Sequence, residues 1–430
     1  METARKFKFM KVFKFGGASI ETTERAKNIA TIIQNYDNEK LLVVISAKGK
    51  TTNALEKIVE ANAKQDKIEA RRLLAELEQD HIAYASSLLG TKEHEVFAKL
   101  RELCIEIDWV LDEPSGRAYD YYYDQIVSIG ELLSTSIMAA YFNQIGMPTV
   151  WIDVRDVMKT DSTYRDATID WNLTNNLANQ VFGEHFEHSN VIITQGFIGS
   201  TDENNSVTLG REGSDYTAAV FANMLNGESV TIWKDVPSLL NADPKIFPNT
   251  IPIEEITFRE VIEMAYYGAQ VIHPKTIKPL QNKDIPLYVK CFLDPTLKGT
   301  LIHNSTEPIA YPPIMVLKTN QVLLQVTTKD YSFITEDNLS QIYTLFHDCK
   351  VKINMIQNAA ISFLACIDNQ PEKIELLLKS LQSAYEVKRN ENLFLFTVRH
   401  YKQSVLKEEL KDRVVLLTQK TRQTIQLVVR

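Results

Sequence analysis

Short runs rich in valine, leucine and isoleucine recur along the first two thirds of this chain, with longer amphipathic stretches between them. Leu41-Leu42-Val43-Val44-Ile45 and Val191-Ile192-Ile193-Thr194 show no polar alternation. A strand with one wet face alternates polar and apolar side chains, so runs like these belong to strands covered on both faces. The pattern predicts strands at 11–15, 41–46, 148–152, 190–195, 229–233 and 286–290. Helical spacing lies between them, over 21–36, 52–64, 124–145, 168–182, 214–226 and 255–268. This alternation predicts an α/β domain, a mainly parallel sheet between two helical layers. Ligands in such a domain belong at the carboxyl ends of strands. Residues 53–112 are helical in pattern almost throughout and read as an excursion out of the sheet, ended by Asp112-Glu113-Pro114-Ser115-Gly116.

Two polar segments fall at such strand ends. Val12-Phe13-Lys14-Phe15 runs into Gly16-Gly17-Ala18-Ser19, and Leu41–Ile45 runs into Ser46-Ala47-Lys48-Gly49-Lys50-Thr51-Thr52-Asn53. Glycine lets backbone N–H groups approach an anion closely. Lys14 adds a cation beside that turn; the plainer reading is a solvated lysine at a strand edge. A third segment, Thr208-Leu209-Gly210-Arg211-Glu212-Gly213-Ser214-Asp215-Tyr216-Thr217-Ala218, leads into a helix-ready run. Arg211 offers a planar fork for a carboxylate or phosphate. The start of the following helix favours negative charge, and Asp215 can orient a cation or an amine. The same residues would also make a glycine-rich turn capped by Ser214 or Asp215.

At 430 residues the chain has room for two or three domains. With 44% apolar and 24% charged residues it reads as globular. A net charge of -8 and scattered basic residues argue against a nucleic-acid surface. Cys104, Cys291, Cys349 and Cys366 lie far apart without partnering histidines, which speaks for a reducing compartment and against a structural zinc. Met1 to Lys11 has no long apolar core of a signal peptide, and no apolar run approaches a membrane span, so the expected location is the cytoplasm.

Further clusters are Ser128-Ile129-Gly130-Glu131-Leu132-Leu133-Ser134, Ile232-Trp233-Lys234-Asp235-Val236-Pro237, Asn241-Ala242-Asp243-Pro244-Lys245 and Tyr267-Gly268-Ala269-Gln270-Val271-Ile272-His273-Pro274. Taken in order with the three segments above, they resemble the aspartate kinases of the amino-acid kinase family, over about residues 10 to 302. The resemblance implies MgATP-dependent phosphorylation of the β-carboxylate of L-aspartate to 4-phospho-L-aspartate, the first step toward lysine, threonine and methionine. It implies Lys14, Arg211 and Asp215 as catalytic residues, and Ser46, Thr52, Glu131, Arg211 and Ser214 around the amino acid. It places Lys14, Gly16, Gly17, Ser19, Lys234, Asp235, Asp243, Lys245 and Gln270 around ATP. Mg²⁺ is implied with ATP, and its ligands are not legible, because magnesium keeps many waters and few protein ligands.

Several positions depart from the family pattern. Ala18 replaces a threonine, Lys234 a threonine or serine, Lys245 an arginine, and Gln270 a phosphate-facing lysine. Glu131 would also suit a helix N-terminus, and Thr52 a helix cap. His273-Pro274 reads as structural, since a carboxylate acceptor needs no base. Tyr119-Asp120-Tyr121-Tyr122-Tyr123-Asp124 reads as the start of a helix with locally bonded tyrosines rather than a ligand-stacking box.

The kinase-like part, nominally 1–305, closes at Thr300-Leu301-Ile302, and Pro308 to Pro313 reads as a linker. Strands at 321–328, 351–357, 360–367 and near 384–390, with helices at 336–348 and 371–382, give β-α-β-β-α-β. A shorter pass follows: strand 393–400, helix 402–411, strands 413–419 and 424–429. This resembles paired ACT domains, which are α+β and ferredoxin-like, at 314–392 and 393–430, the second degenerate or interleaved with the first. ACT domains imply an effector, lysine or threonine, near Asn354, Gln357 and Asn358; the two amides at 357 and 358 equally suit a turn cap. A homodimer or higher homo-oligomer is expected, with no nucleic-acid or membrane partner. The chain as read ends at Arg430, and no fused dehydrogenase is expected. The other readings are a kinase of glutamate, N-acetylglutamate, carbamate or a nucleotide, and a catalytically weak amino-acid sensor.

Overall fold

The structure, a computed structural model, describes residues 10–114, 116–410 and 413–430. The amino-terminal segment 1–9, the Ser115 position of the expected turn and Lys411, the last residue of the helix expected at 402–411, lie outside the described residues. The chain forms two compact units. The first takes the chain to Leu239 and adds Glu254–Arg259 and Ile272–Pro308; the second holds Leu240–Ile253, Glu260–Val271 and Ile309–Arg430.

The first unit opens with β1 (Met10–Phe15), α1 (Thr23–Gln34), β2 (Lys40–Ile45) and α2 (Thr51–Ala63). The helical excursion continues with α3 (Lys67–Leu89) and α4 (Val96–Asp112). Then come α5 (Tyr119–Val127), α6 (Ile129–Gln144), β3 (Thr149–Ile152), α7 (Trp171–His185) and β4 (Val191–Gln195). A short hairpin, β5 (Ile198–Ser200) and β6 (Ser206–Thr208), precedes α8 (Gly213–Met224) and β7 (Ser229–Lys234). The chain continues through the two-residue strands β8 (Leu239–Leu240) and β9 (Pro252–Ile253), β10 (Glu255–Thr257), α9 (Phe258–Tyr267), α10 (Pro274–Gln281), β11 (Leu287–Cys291) and β12 (Thr300–His303); of these, β9 and α9 from Glu260 onward belong to the second unit.

Eight of these strands form one sheet in the order β10-β12-β11-β7-β1-β2-β4-β3. All neighbours are parallel except β11 and β12. Residues 41–45 of β2 and 191–195 of β4 are fully buried, as strands without polar alternation require. β1 is central, between β2 and β7, so Lys14 leaves the middle of the sheet. The helix expected at 124–145 is two helices, α5 and α6, divided at Ser128. Ser128 Oγ bonds back to the Gln125 carbonyl, which competes with the helix ladder. Among the described residues one helical stretch, Tyr119–Gln144, is long and apolar enough to cross a membrane, and it lies mostly buried inside the protein.

The second unit contains β13 (Ile314–Thr328), α11 (Glu336–Asp348), β14 (Ile353–Asn358), β15 (Ser362–Asp368), α12 (Pro371–Gln382), β16 (Tyr385–Arg399), α13 (Gln403–Glu409), β17 (Val415–Lys420) and β18 (Thr424–Val429). They make a six-stranded antiparallel sheet ordered β14-β15-β13-β16-β18-β17. Val322, Leu324, Val326, Phe363 and Ala365 face Ile342, Phe346, Ile374, Leu377 and Leu381 of α11 and α12 in one core. The expected strands at 384–390 and 393–400 are one strand, β16, which runs through the expected boundary at 392. β13 likewise starts at Ile314 rather than 321. The two pair with each other along most of their length, across register shifts near Asn320.

Candidate active site

The carboxyl ends of β1, β2 and β7 meet the loops before α2 and α8 at a cleft of about 540 Å³. Lys14, Ser46, Thr52, Glu131, Arg211, Ser214, Asp215 and Lys234 line it, together with Tyr123, Arg165, Phe197, Thr208, Gly210, Glu212 and Gly213. Residues distant in sequence thus converge where an α/β sheet places its ligands.

The floor is tightly built. Gly17 has no room for a side chain: a Cβ there would sit 2.4 Å from the Ala47 carbonyl. That closeness joins the two strand-end loops, and Gly49 N–H donates to Gly17 O at 3.0 Å. Ser19 is buried and its Oγ donates to Gly16 O at 2.5 Å, so it shapes the turn. Ser46 Oγ donates to Ser214 Oγ at 2.9 Å, linking the β2 loop to α8. Lys14 Nζ lies 2.6 Å from Asp215 Oδ1, and both side chains are largely buried.

Glu131 sits on the first turn of α6, 3% exposed. Its Oε1 accepts from Ala47 N–H at 3.2 Å, while Oε2 has no hydrogen-bond partner among the described residues. Burial pushes its carboxyl up to about 8. A buried carboxylate with one empty oxygen on a cleft wall is arranged to receive a cation. Arg211 is exposed at the rim.

The loop carrying Arg211 is held from behind. Glu212 adopts the left-handed conformation at the start of α8, and its Oε2 accepts from His273 N–H at 2.8 Å. His273 Nδ1 in turn accepts from Lys275 N–H at 3.2 Å as the cap of α10. The histidine is therefore structural, as its sequence context suggested. Lys275 Nζ donates to Leu209 O at 3.0 Å and to Asp166 at 2.9 Å.

Sequence reading missed Arg165 and Tyr123. Arg165 lies in a loop without motif character, and the Tyr119–Tyr123 cluster was read as local packing. Tyr121 and Tyr122 do bond locally, to Glu113 and to the Pro114 carbonyl. Tyr123 instead lines the cleft beneath Arg165, whose guanidinium carbon is 4.3 Å from the ring centre. Only the spacing of tyrosines along α5 hinted at that.

Gly16, Gly17 and Ser19 underlie the cleft rather than lining it, and Asp235 is exposed and outside the lining set. Asp243, Lys245 and Gln270 are exposed and belong to the second unit. Asp243 Oδ1 accepts from Lys245 N–H at 2.9 Å in a turn. Asn354, expected to be open to an effector, is committed: Lys318 Nζ donates to its Oδ1 at 2.9 Å, and its Nδ2 donates to Gln321 and Asp368. Gln357 and Asn358 are exposed at the end of the edge strand β14.

A mainly parallel sheet carries a cleft lined by Lys14, Arg211 and Glu131 at its carboxyl end, and the model of the amino acid kinase family matches residues 10–291. Lysine-sensitive aspartokinase 3 of Escherichia coli (strain K12) is 32% identical over 364 residues, 83% of this chain and 78% of the relative. Aspartokinase 2, chloroplastic, of Arabidopsis thaliana is 31% identical over 368 residues, 83% of this chain and 66% of the relative, so the chain spans about two thirds of the plant protein's length. The crystal structure of E. coli aspartokinase III in complex with aspartate and ADP superposes with a TM-score of 0.79 at 27% identity, covering 98% of this chain and 96% of that one. The chain belongs to the amino acid kinase family, in its aspartokinase branch.

Proposed function

We propose that the protein transfers the γ-phosphoryl group of MgATP to the β-carboxylate of L-aspartate, the step that opens lysine, threonine and methionine synthesis. The observation that carries this is the cleft's charge layout: a buried Glu131 oxygen without a partner, the rim Arg211, and Lys14 on the floor. The amino acid's ammonium would answer Glu131, and a carboxylate would answer Arg211. Lys14 would offset the charge of the transferring group, in a reaction between two anions that depends on positioning and neutralisation. Asp215 holds Lys14 in place and can face the metal's water shell. No cluster of three or more His, Cys, Asp or Glu suited to a metal occurs among the described residues. Mg²⁺ would arrive on the triphosphate, whose phosphate oxygens supply most of its ligands. ADP release should require both L-aspartate and Mg²⁺. Equal release without aspartate, or faster release with glutamate or N-acetylglutamate, would refute the reading; amino-acid binding without turnover would favour a sensor.

Glu131 gives this activity a pH signature. Its neutral form is favoured in the empty cleft, with a pKa of about 8. An ammonium needs the ionised form, so below that value binding must first expel a proton. The KM for L-aspartate should therefore fall by up to about tenfold per pH unit as pH rises toward 8, then level off. Glu131→Gln should abolish the slope and raise KM throughout. A KM that is flat between pH 6.5 and 8 in the wild type would contradict the assignment.

The exposed edge of β14 leaves backbone groups free to pair with a second copy, and a homodimer through the second unit is our reading. Light scattering at micromolar concentration should give a dimer or larger. The E. coli relative is named lysine-sensitive, and a lysine or threonine effector is proposed here near Gln357 and Asn358 rather than at Asn354. The cytoplasm remains the proposed location.

A further inference from the structure

We propose that Asp124 is a positioning residue for the amino-acid substrate: its carboxylate locks the loop before α8 to the helices that carry Glu131, and so sets the span between Glu131 and Arg211. This rests on the aspartate kinase reading above. Asp124 lies on α5, is fully buried and does not line the cleft. It acts through what it holds. Glu131 follows on the first turn of α6, the helix that continues from α5.

Two loops distant in sequence fill its oxygens. Oδ2 accepts from Arg165 N–H at 2.9 Å and from Thr208 N–H at 2.8 Å. Oδ1 accepts from Thr208 Oγ1 at 2.7 Å. Thr208 ends β6 and runs directly into Leu209-Gly210-Arg211. The neighbouring side chain repeats the grip: Gln125 Nε2 donates to Ser206 O at 2.7 Å, and its Oε1 accepts from Ser206 N–H at 3.0 Å. Side chains of α5 thus satisfy the backbone of β6 as a partner strand would.

The second loop is a backstop for the first. The Arg165 backbone is left-handed, with φ 68°, a conformation that costs an arginine free energy and persists where surroundings enforce it. The bond from its N–H to Asp124 is such a constraint. Ala167 N–H then donates to Thr208 O at 3.0 Å. Gly210, itself left-handed at φ 74°, packs so closely on this loop that a Cβ would stand 2.7 Å from Asp166 Oδ1 and 3.1 Å from Arg165 O. Displacing either loop therefore displaces the backbone that carries Arg211. Burial pushes the Asp124 carboxyl up to about 6, and hydrogen bonds from the two loops pull against that shift. What the loops need from the site is its acceptors, and an uncharged group of the same shape can supply them.

The test compares Asp124→Ala with Asp124→Asn. Alanine leaves two buried N–H groups without their acceptor and releases both loops. Asparagine keeps the shape: its amide oxygen can accept from both N–H groups in place of Oδ2, and its amide can donate to Thr208 Oγ1. Asp124→Ala should raise the KM for L-aspartate on the order of 10- to 100-fold and leave kcat and the KM for ATP within about threefold, the pattern of lost substrate positioning. Asp124→Asn should stay within about threefold of wild type in all three constants. Thermal melts establish that each variant is folded at the assay temperature. Should Asp124→Ala not fold, Asp124→Ser takes its place with the same rise expected: its hydroxyl can bond back to the preceding turn of α5 and is too short to bridge both loops. An unchanged KM for L-aspartate in the folded alanine or serine variant would overturn the assignment. So would losses shared equally by kcat and the KM for ATP, or an asparagine variant as impaired as alanine. In each of these cases wild-type turnover of L-aspartate leaves the kinase reading standing. A wild-type protein that does not turn over L-aspartate overturns both.

Discussion

Replacing Lys14 with alanine is expected to lower kcat on the order of 10²- to 10³-fold, the cost of removing a preorganised cation from a developing negative charge. The KM values for ATP and L-aspartate should move far less, because the interaction strengthens in the transition state. The reason for so large an effect lies in the pairing of Lys14 with Asp215 at 2.6 Å. Without the lysine, a carboxylate that is 4% exposed is left alone beside the incoming phosphoryl group. The loss is therefore the missing attraction plus a new repulsion. Adding Asp215→Asn removes the repulsion, so the double variant should lose no more than Lys14→Ala alone. Steady-state kinetics on the two single variants and the double decide this. A Lys14→Ala enzyme within a few-fold of wild-type kcat would remove Lys14 from the mechanism.

The second large effect is expected on stability, at Arg399 in the second unit. Its guanidinium is buried and bonds Glu260 with both Nε, at 2.5 Å, and Nη2, at 2.8 Å. Nη1 donates to Glu263 at 3.0 Å and to Thr424 at 2.9 Å. This ties α9 to β16 and β18 within that unit. Arg399→Met strands Glu260 in a buried site and should cost about 3–5 kcal/mol. The melting transition of the unit should drop by roughly 10 °C. Arg399→Met combined with Glu260→Gln should recover much of that loss, because no buried charge remains unpaired.

The network also sets an acid limit. Burial alone would raise the Glu260 carboxyl, but hydrogen bonds from Arg399 and His400 bring it down to about 2 from an ordinary 4.5. A depressed carboxylate stabilises the fold above its unfolded value and loses that contribution as pH falls through its folded value. About 3 kcal/mol should thus disappear between pH 4.5 and 2. Arg399→Met should lack this part of the acid slope. Melting curves of both proteins across that range provide the check.

The fold was legible where burial leaves a periodic mark. Strands such as Leu41–Ile45 and Val191–Gln195, covered on both faces, announce themselves by lacking polar alternation. The helices at 336–348 and 371–382 and the last strand at 424–429 coincide with their expected ranges. The long strand β16 was not legible as one element. Lys388-Arg389-Asn390-Glu391 is polar because that stretch is largely exposed, and Asn392 turns left-handed at φ 58°. Such a stretch resembles a turn unless its partner strand is known. The same asymmetry holds in the cleft. Lys14, Glu131 and Arg211 stand in local patterns that glycines and strand ends betray. Arg165 reaches the cleft only because Asp124, forty-one residues earlier, holds its backbone, and contacts of that range leave no local pattern.

The long pair β13 and β16 has a kinetic consequence. Each is fifteen residues long, and they cross the whole second sheet side by side. The half containing β14 and β15 and the half containing β17 and β18 therefore share the same two backbones. Neither half can come apart without tearing the central ladder of the other. Slowly exchanging amide protons in the two halves should be released together, with one opening free energy, as in a single cooperative block. A protease should find no cut near residue 392 that frees a folded fragment, even though the polar sequence there looks like an invitation.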